Sequence, residues 1–161
     1  MEKISTSVLE TKRIGKNLAK KILQEKKNRA LVICLKGDLG GGKTTFVQGF
    51  AKGLGVGEKI LSPTFVIMRK FRIFSSKKDE SFFKHLYHID CYRLRSFKEI
   101  AGLGFSNIIS DPRNIVIIEW ADRIEKILPS CNIFIEFRFV NKKTRKIIIK
   151  QNAGAKKVSC H

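Results

Sequence analysis

A glycine-rich loop at residues 37–44 is the feature that most constrains the fold of this 161-residue chain. It reads Gly-Asp-Leu-Gly-Gly-Gly-Lys-Thr and matches the pattern G-x-x-x-x-G-K-S/T in full. Before it, residues 30–35 form a continuous apolar run, which favours a strand buried on both faces of a mostly parallel sheet. After it, Phe46, Phe50 and Leu54 fall on one face of a helix. Because a phosphate-binding loop joins a buried strand to a helix, the sequence predicts one α/β domain of the P-loop NTPase type.

The residue types in this loop suit phosphate binding. Glycines let successive backbone N–H groups point inward, and the positive end of the following helix adds to this anion site. Lys43 is expected to reach the β- and γ-phosphates of a nucleotide, and the Thr44 hydroxyl is expected to ligate Mg²⁺. The predicted binding residues in the loop are Gly37, Asp38, Leu39, Gly40, Gly41, Gly42, Lys43 and Thr44.

Two carboxylates follow predicted strands. Glu119 comes directly after the β-branched run 115–118, the pattern expected of a Walker B strand, and Asp90 lies within His-Ile-Asp-Cys-Tyr-Arg at 88–93. In such a site one carboxylate holds Mg²⁺ and the other positions the attacking water. The sequence leaves open which residue does which. For Asp90, a helix N-cap or an ion pair with Arg93 is the structural alternative.

The remaining patterns predict one domain over residues 1–151 and a basic, frayed tail over residues 152–161. The expected elements are an amphipathic helix from the capping box Ser7–Glu10 to about Lys27, a loop-following helix that ends near 53–57, a hairpin of strands 65–73 and 83–90 around a polar turn at 75–79, an irregular helical stretch at 96–110, and a C-terminal antiparallel hairpin of 133–139 and 145–150.

The four cysteines are scattered and form no C-x-x-C pair, and the three histidines add no zinc-binding spacing. The sequence therefore predicts neither a structural metal site nor a disulfide framework. Cys34 and Cys131 lie in apolar runs and are expected to be buried core residues, whereas Cys160 is expected to be an exposed thiol in the tail.

The net charge and the hydropathy of the chain indicate whether it can bind a polyanion or a membrane. The chain has 33 basic and 14 acidic residues, a formal net charge of +19, which would attract RNA, DNA or another polyanion. A compositional bias toward Lys and Ile is the alternative explanation. No stretch approaches the roughly 18 apolar residues that a membrane-spanning helix needs, and the N-terminus lacks the pattern of a secretory signal. We therefore expect a cytoplasmic protein without a membrane partner.

Four short motifs occur together in one order and spacing. They are Gly-Asp-Leu-Gly-Gly-Gly-Lys-Thr-Thr at 37–45, Ser-Pro-Thr-Phe at 62–65, His-x-Asp-x-Tyr-Arg-Leu at 88–94 and Ile-Glu-Trp-Ala at 118–121. Their combination resembles the TsaE (YjeE) family, the ATPase component of bacterial tRNA threonylcarbamoyladenosine synthesis. The resemblance covers nearly the whole chain and is far more specific than the P-loop by itself.

The resemblance implies a small P-loop protein that binds ATP and Mg²⁺ and acts with the TsaB and TsaD proteins, which modify the adenosine beside the tRNA anticodon. ATP hydrolysis would reset or sustain the transferase cycle. The implied site residues are Lys43, Asp90 and Glu119 for catalysis, Thr44, Asp90 and Glu119 for the metal, Thr45 and Trp120 for the nucleotide, and Ser62, Pro63 and Thr64 as a switch-like loop. For Trp120, a partner interface or a partly buried core position are the alternatives.

Two other functions use the same features. A small-molecule kinase shares the P-loop but normally needs a lid and an acceptor pocket, for which this chain has little material. A basic RNA-binding module with a vestigial nucleotide site would explain the charge, and basic residues alternate with aromatic ones at 69–74. Strand alternation explains that pattern at least as well, so direct contact with tRNA remains open.

Overall fold

The computed structural model describes residues 1–25, 28–63, 66–74, 81–128, 131 and 133–152. Its strands are β1 (Glu2–Ser5), β2 (Leu31–Gly37), β3 (Met68–Arg72), β4 (His85–Asp90), β5 (Asn114–Glu119), β6 (Ile133–Phe139) and β7 (Arg145–Gln151). The helices are α1 (Val8–Ile22), α2 (Lys43–Gly53), α3 (Phe97–Ala101) and α4 (Phe105–Ser110), and a 3₁₀ segment covers Ala121–Ile127. Within this part of the chain, no helix is long and apolar enough to cross a membrane.

The described strands form one sheet of seven in the order β1-β7-β6-β2-β5-β4-β3. The four central strands, β6, β2, β5 and β4, are parallel, while β3, β7 and β1 pair antiparallel at the two sides. The predicted α/β class, the mostly parallel centre and both hairpins are therefore confirmed. Strand β1 was not predicted from the sequence; it has four residues, of which only Ser5 is buried.

Helices α1 and α2 cover one face of the sheet. Ser7 begins α1 by accepting a hydrogen bond from the Glu10 backbone N–H at 3.1 Å, as the capping pattern predicts. The helix ends at Ile22, earlier than the predicted Lys27, which lies outside the described residues. Gly49 allows the two helices to cross closely, because a Cβ there would overlap the backbone of Lys12.

Helices α3 and α4 and the 3₁₀ segment pack on the opposite face, where Cys34 and Cys131 are both buried. These two cysteines form a disulfide, so the prediction that the chain lacks one is wrong for this pair. The parallel pairing of β2 with β6 explains the correction, since it brings Cα atoms 97 residues apart in sequence to within 6.3 Å. Cys160, the tail beyond residue 152 and the polar turn at 75–79 lie outside the described residues.

Candidate active site

The glycine-rich loop lies where β2 ends and α2 begins. Gly37 has φ +132° and Gly42, the N-cap of α2, has φ +98°, conformations that L-residues with a side chain rarely adopt. A Cβ at Gly37 would also overlap the backbone carbonyl of Phe137 on β6. The glycines therefore serve both the backbone turn and the close approach of a neighbouring strand. This strand–loop–helix arrangement is the one that the sequence predicts.

Lys43 is folded into the loop that precedes it. Its side chain is buried, and Nζ donates hydrogen bonds to the carbonyl oxygens of Gly37 at 2.7 Å and Asp38 at 2.8 Å. The same Nζ lies 3.9 Å from the ring centroid of Trp120. Burial lowers the pKa of the Lys43 ammonium, and the carboxylates of Glu119 and Asp90 oppose that shift. The loop carbonyls therefore hold the Lys43 ammonium next to the backbone N–H groups that would bind an anion.

The two predicted carboxylates lie side by side. Asp90 and Glu119 are register partners at the carboxyl ends of the parallel strands β4 and β5, and both are buried. The Thr44 hydroxyl lies 3.0 Å from each carboxylate oxygen of Glu119. On its other side, Oε1 of Glu119 lies 2.8 Å from Nε2 of His88. The Walker B position is therefore joined directly to the loop threonine.

Asp90 contacts the segment predicted to be switch-like. Its Oδ2 accepts a hydrogen bond from the Ser62 hydroxyl at 2.7 Å, and its Oδ1 accepts one from the backbone N–H of Tyr92 at 2.9 Å. Asp90 is not a helix N-cap, because the next helix, α3, begins after Ser96. Pro63 is buried beside Ser62, and Thr64 lies outside the described residues.

Aromatic side chains border the carboxylates. Trp120 has φ +58°, which is rare for a bulky residue, and its ring centroid lies 5.0 Å from that of Tyr92. Trp120 is half-buried, so it faces the site and also packs against the core of the α3–α4 face. A cavity of about 210 Å³ is lined by Leu39, Gly40, Gly41, Gly42, Lys43, Thr44, Thr45, Ser62, Asp90, Tyr92, Glu119 and Trp120.

Comparison with known proteins agrees with this geometry. The model of the family described as "Threonylcarbamoyl adenosine biosynthesis protein TsaE" matches residues 5–147. This chain belongs to the TsaE family. The match confirms the resemblance carried by the four sequence motifs, and with it membership of a P-loop family named for tRNA threonylcarbamoyladenosine biosynthesis.

Individual TsaE relatives cover nearly the whole chain. The TsaE protein of Treponema pallidum is 32% identical over 92% of this chain and 99% of its own length. That of Aquifex aeolicus is 33% identical over 92% of this chain and 98% of its own length. The crystal structure of YdiB from Bacillus subtilis superposes with a TM-score of 0.67 at 30% identity, covering 91% of this chain and 82% of that one.

The structure brings together most residues that the TsaE motifs pointed to. The predicted residues that line the cavity beside the carboxylates come from the loop and from the three other motifs. Gly37 and Asp38 lie just outside its lining but accept hydrogen bonds from Lys43. His88 and Tyr92 were part of the motifs but were not predicted to be site residues. They could have been predicted from their positions two residues before and two residues after Asp90.

Arg145 contacts the glycine-rich loop, although the sequence carries no local signal for this contact. It begins β7, 105 residues after Gly40, and its Nε and Nη2 donate to the Gly40 carbonyl at 3.2 and 3.1 Å. It also borders a second cavity on the other side of the loop, lined by Thr6, Ser7, Val8, Thr11, Gly40, Gly42, Thr45, Lys142, Lys143 and Arg145. The antiparallel hairpin β6–β7 places this arginine against the loop.

Proposed function

We propose that this chain binds ATP with Mg²⁺ and hydrolyses it within tRNA threonylcarbamoyladenosine biosynthesis. One observation carries the proposal: residues 39–45 of the phosphate-binding loop, with its lysine and threonine, and two adjacent carboxylates all line one cavity. Backbone N–H groups at the start of α2 and the Lys43 ammonium supply positive charge for the β- and γ-phosphates. The pocket therefore has the groups that phosphoryl transfer to water requires.

The contacts support a division of labour between the two carboxylates. The Thr44 hydroxyl and the Glu119 carboxylate are in contact and offer only oxygen donors, which is the ligand type that Mg²⁺ prefers. We assign these two residues to the metal, which when bound neutralises charge on the phosphate oxygens. Asp90 contacts Ser62 instead, so we assign it to the attacking water and to the switch-like segment.

The second cavity suits the nucleoside part of ATP. It shares Gly40, Gly42 and Thr45 with the phosphate-binding loop and extends away from the carboxylates. Hydroxyls of Thr6, Ser7 and Thr11 lie along one side of it, and the cations of the β6–β7 hairpin lie along the other. We therefore propose that the ribose and base lie between the start of α1 and this hairpin.

Hydrolysis by the isolated protein is expected to be slow and to rise when TsaB and TsaD bind. Arg145, the arginine placed on the loop, is engaged with the Gly40 carbonyl, and Ser62 is exposed. P-loop NTPases without a stimulating partner turn over at roughly 10⁻⁴ to 10⁻² per second. Docking of a partner against the Ser62 segment would exclude water from the site and orient the nucleophile.

Single-turnover hydrolysis of ATP, with and without purified TsaB and TsaD from the same source, tests this proposal. We expect at least a tenfold stimulation by the partners. The same assay is applied to the Ser62→Ala variant. Stimulation by the partners should be smaller in this variant than in wild type, because the hydrogen bond to Asp90 is lost. Fast hydrolysis that the partners leave unchanged would contradict the proposal, and transfer of the γ-phosphate to a small acceptor would identify a kinase.

The edge strand β3 is the surface that we propose for tRNA contact. Arg69, Lys70 and Arg72 are exposed, and none of them pairs with an acidic residue in the described part of the chain. Phe71, which alternates with Lys70 and Arg72, is 2% exposed and belongs to the core, so base stacking on this aromatic is excluded. The contact would therefore be with phosphates.

Replacing Arg69, Lys70 and Arg72 together by glutamine is expected to weaken tRNA binding about tenfold or more and to reduce the salt dependence by about one unit of slope per lost contact. Fluorescence anisotropy with labelled tRNA at several salt concentrations measures both quantities. The control variant replaces Arg13, Lys20 and Lys21 on α1, which removes the same charge. Equal losses in the two variants would show that net charge, not this edge, attracts tRNA.

A further inference from the structure

His88 is fully buried beside the candidate site, yet the proposed function gives it no role. Its exposed fraction is 0%, and its Nε2 lies 2.8 Å from Oε1 of Glu119. His88 pairs in register with Ile117, two residues before Glu119 on the neighbouring parallel strand. Because side chains alternate along strands, His88, Asp90 and Glu119 all project from one face of the sheet. The histidine therefore lies beneath the carboxylates, on the side away from the cavity.

The hydrogen bond determines which ring nitrogen carries the proton. An ionised carboxylate can only accept, so Nε2 of His88 is the donor to Glu119. Nδ1 of the same ring is buried and has no hydrogen-bond partner within the described residues. A proton on Nδ1 would be a buried donor without an acceptor, which is unfavourable. The contact with Glu119 therefore places a ring hydrogen on Nε2.

The contact between His88 and Oε1 restricts the orientation of the Glu119 carboxylate. The Thr44 hydroxyl lies at the same distance, 3.0 Å, from both oxygens of Glu119 and does not distinguish between them. The contact from His88 is with Oε1, so it restrains the rotation of the carboxyl group. A glutamate side chain has three rotatable bonds, so a partner at its tip restricts it strongly.

We propose that His88 is a positioning residue that orients Glu119 toward Thr44 and the metal position. This inference rests on the proposed function of the site. Hydrogen-bond partners of metal-ligating groups typically contribute 10- to 100-fold to metal affinity or activity. Removal of the Nε2 donor should therefore weaken Mg²⁺ binding and slow hydrolysis, while binding of ATP without Mg²⁺ should change little, because His88 does not line the cavity.

The test compares His88→Gln with His88→Asn and His88→Leu. A glutamine amide nitrogen can reach the position of Nε2, whereas an asparagine amide reaches only that of Nδ1. We expect Mg²⁺ affinity, measured by titration of Mg²⁺ into protein with a fluorescent ATP analogue, to fall tenfold or more in the Asn and Leu variants. The Gln variant should stay within about threefold of wild type. In the two impaired variants kcat should fall while the KM for ATP stays within about twofold.

His85→Gln is the matched control, since His85 lies on the same strand and outside the cavity. A second readout needs neither nucleotide nor metal: long-range ¹H–¹⁵N spectra of the free protein should show the His88 ring protonated at Nε2, with shifts that change in Glu119→Gln. Equal Mg²⁺ affinity in the Asn and Gln variants, or a ring protonated at Nδ1, would overturn the proposal while leaving the proposed function intact. A wild-type protein that binds no nucleotide would overturn both.

Discussion

Lys43→Ala is expected to weaken ATP binding by roughly 10- to 100-fold and to reduce hydrolysis by at least about 100-fold. A hydrogen bond to a charged group contributes about 1.5–3 kcal/mol, which corresponds to that loss of affinity. Removing a charge that stabilises a transition state costs about 10²–10³ in rate. Lys43 is the cation that the loop surrounds, and Nζ already lies within hydrogen-bond distance of two loop carbonyls.

The same substitution is expected to leave the fold intact. Burial lowers the pKa of Lys43, which shows that the charged form is penalised by desolvation in the protein without nucleotide. Loss of the two carbonyl contacts and removal of that penalty therefore act in opposite directions on the free energy of unfolding. Calorimetric titration with ATP and thermal unfolding measure the two effects, with Lys52→Ala at the exposed end of α2 as the control. Wild-type hydrolysis by Lys43→Ala would contradict the assignment of the loop.

Local sequence patterns predicted the parts of the site that depend on neighbouring residues. The strand before the loop, the glycines within it and the helix after it follow from rules of periodicity and backbone conformation over about twenty residues. Glu119 was predictable for the same reason, since a buried parallel strand ends in it. Asp90 was predictable as a candidate, but its place beside Glu119 depends on the parallel pairing of β4 with β5, which no local pattern specifies.

Contacts between distant segments account for what the sequence did not predict. Arg145 reaches Gly40 across 105 residues, and Cys34 reaches Cys131 across 97. Both contacts depend on β6 lying next to β2, which follows from the order of strands in the assembled sheet. The position of Trp120 also depends on distant segments: its ring lies against Lys43 and Tyr92, a contact between three segments of the chain.

The interleaved basic and aromatic residues at 69–74 show how structure decides between two hypotheses. Both base stacking and strand alternation fit that pattern in the sequence. Phe71 and Ile73 are buried at 2% and 6% exposure, Lys70 and Arg72 alternate with them and face solvent, and Arg69 and Phe74 at the two ends of the run are also exposed. The alternation is therefore that of an edge strand with one face on the core. Its exposed cations suit phosphate contacts.

Asp90→Asn separates the roles of the two carboxylates. Because Asp90 contacts Ser62 and the Tyr92 backbone, its substitution is expected to slow hydrolysis while leaving the Mg²⁺ dependence of ATP binding close to wild type. Asparagine keeps an oxygen acceptor for one of these hydrogen bonds, so the local turn should persist. The same Mg²⁺ titration and single-turnover assay apply to this variant and to the next.

Glu119→Gln is expected to reduce hydrolysis by about 100-fold or more and to remove most of the Mg²⁺ dependence of ATP binding. The substitution keeps the shape of the side chain and an oxygen that can accept from Thr44 and His88, but it removes the negative charge beside the metal position. An amide oxygen is a weaker ligand for a hard cation than a carboxylate. Affinity for ATP in the presence of EDTA should therefore stay within about threefold of wild type, which separates loss of the metal from loss of the fold.

Glu136→Gln is the control for Glu119→Gln. Glu136 lies on β6 and forms an ion pair with Arg138, away from the loop. It should hydrolyse ATP at the wild-type rate. If Glu119→Gln and Asp90→Asn both matched wild type as well, the adjacent carboxylates would be structural and the metal assignment would fail. If instead Asp90→Asn lost Mg²⁺ dependence and Glu119→Gln kept it, the two assignments would be exchanged, and the contact between Thr44 and Glu119 would have to serve the loop rather than the metal.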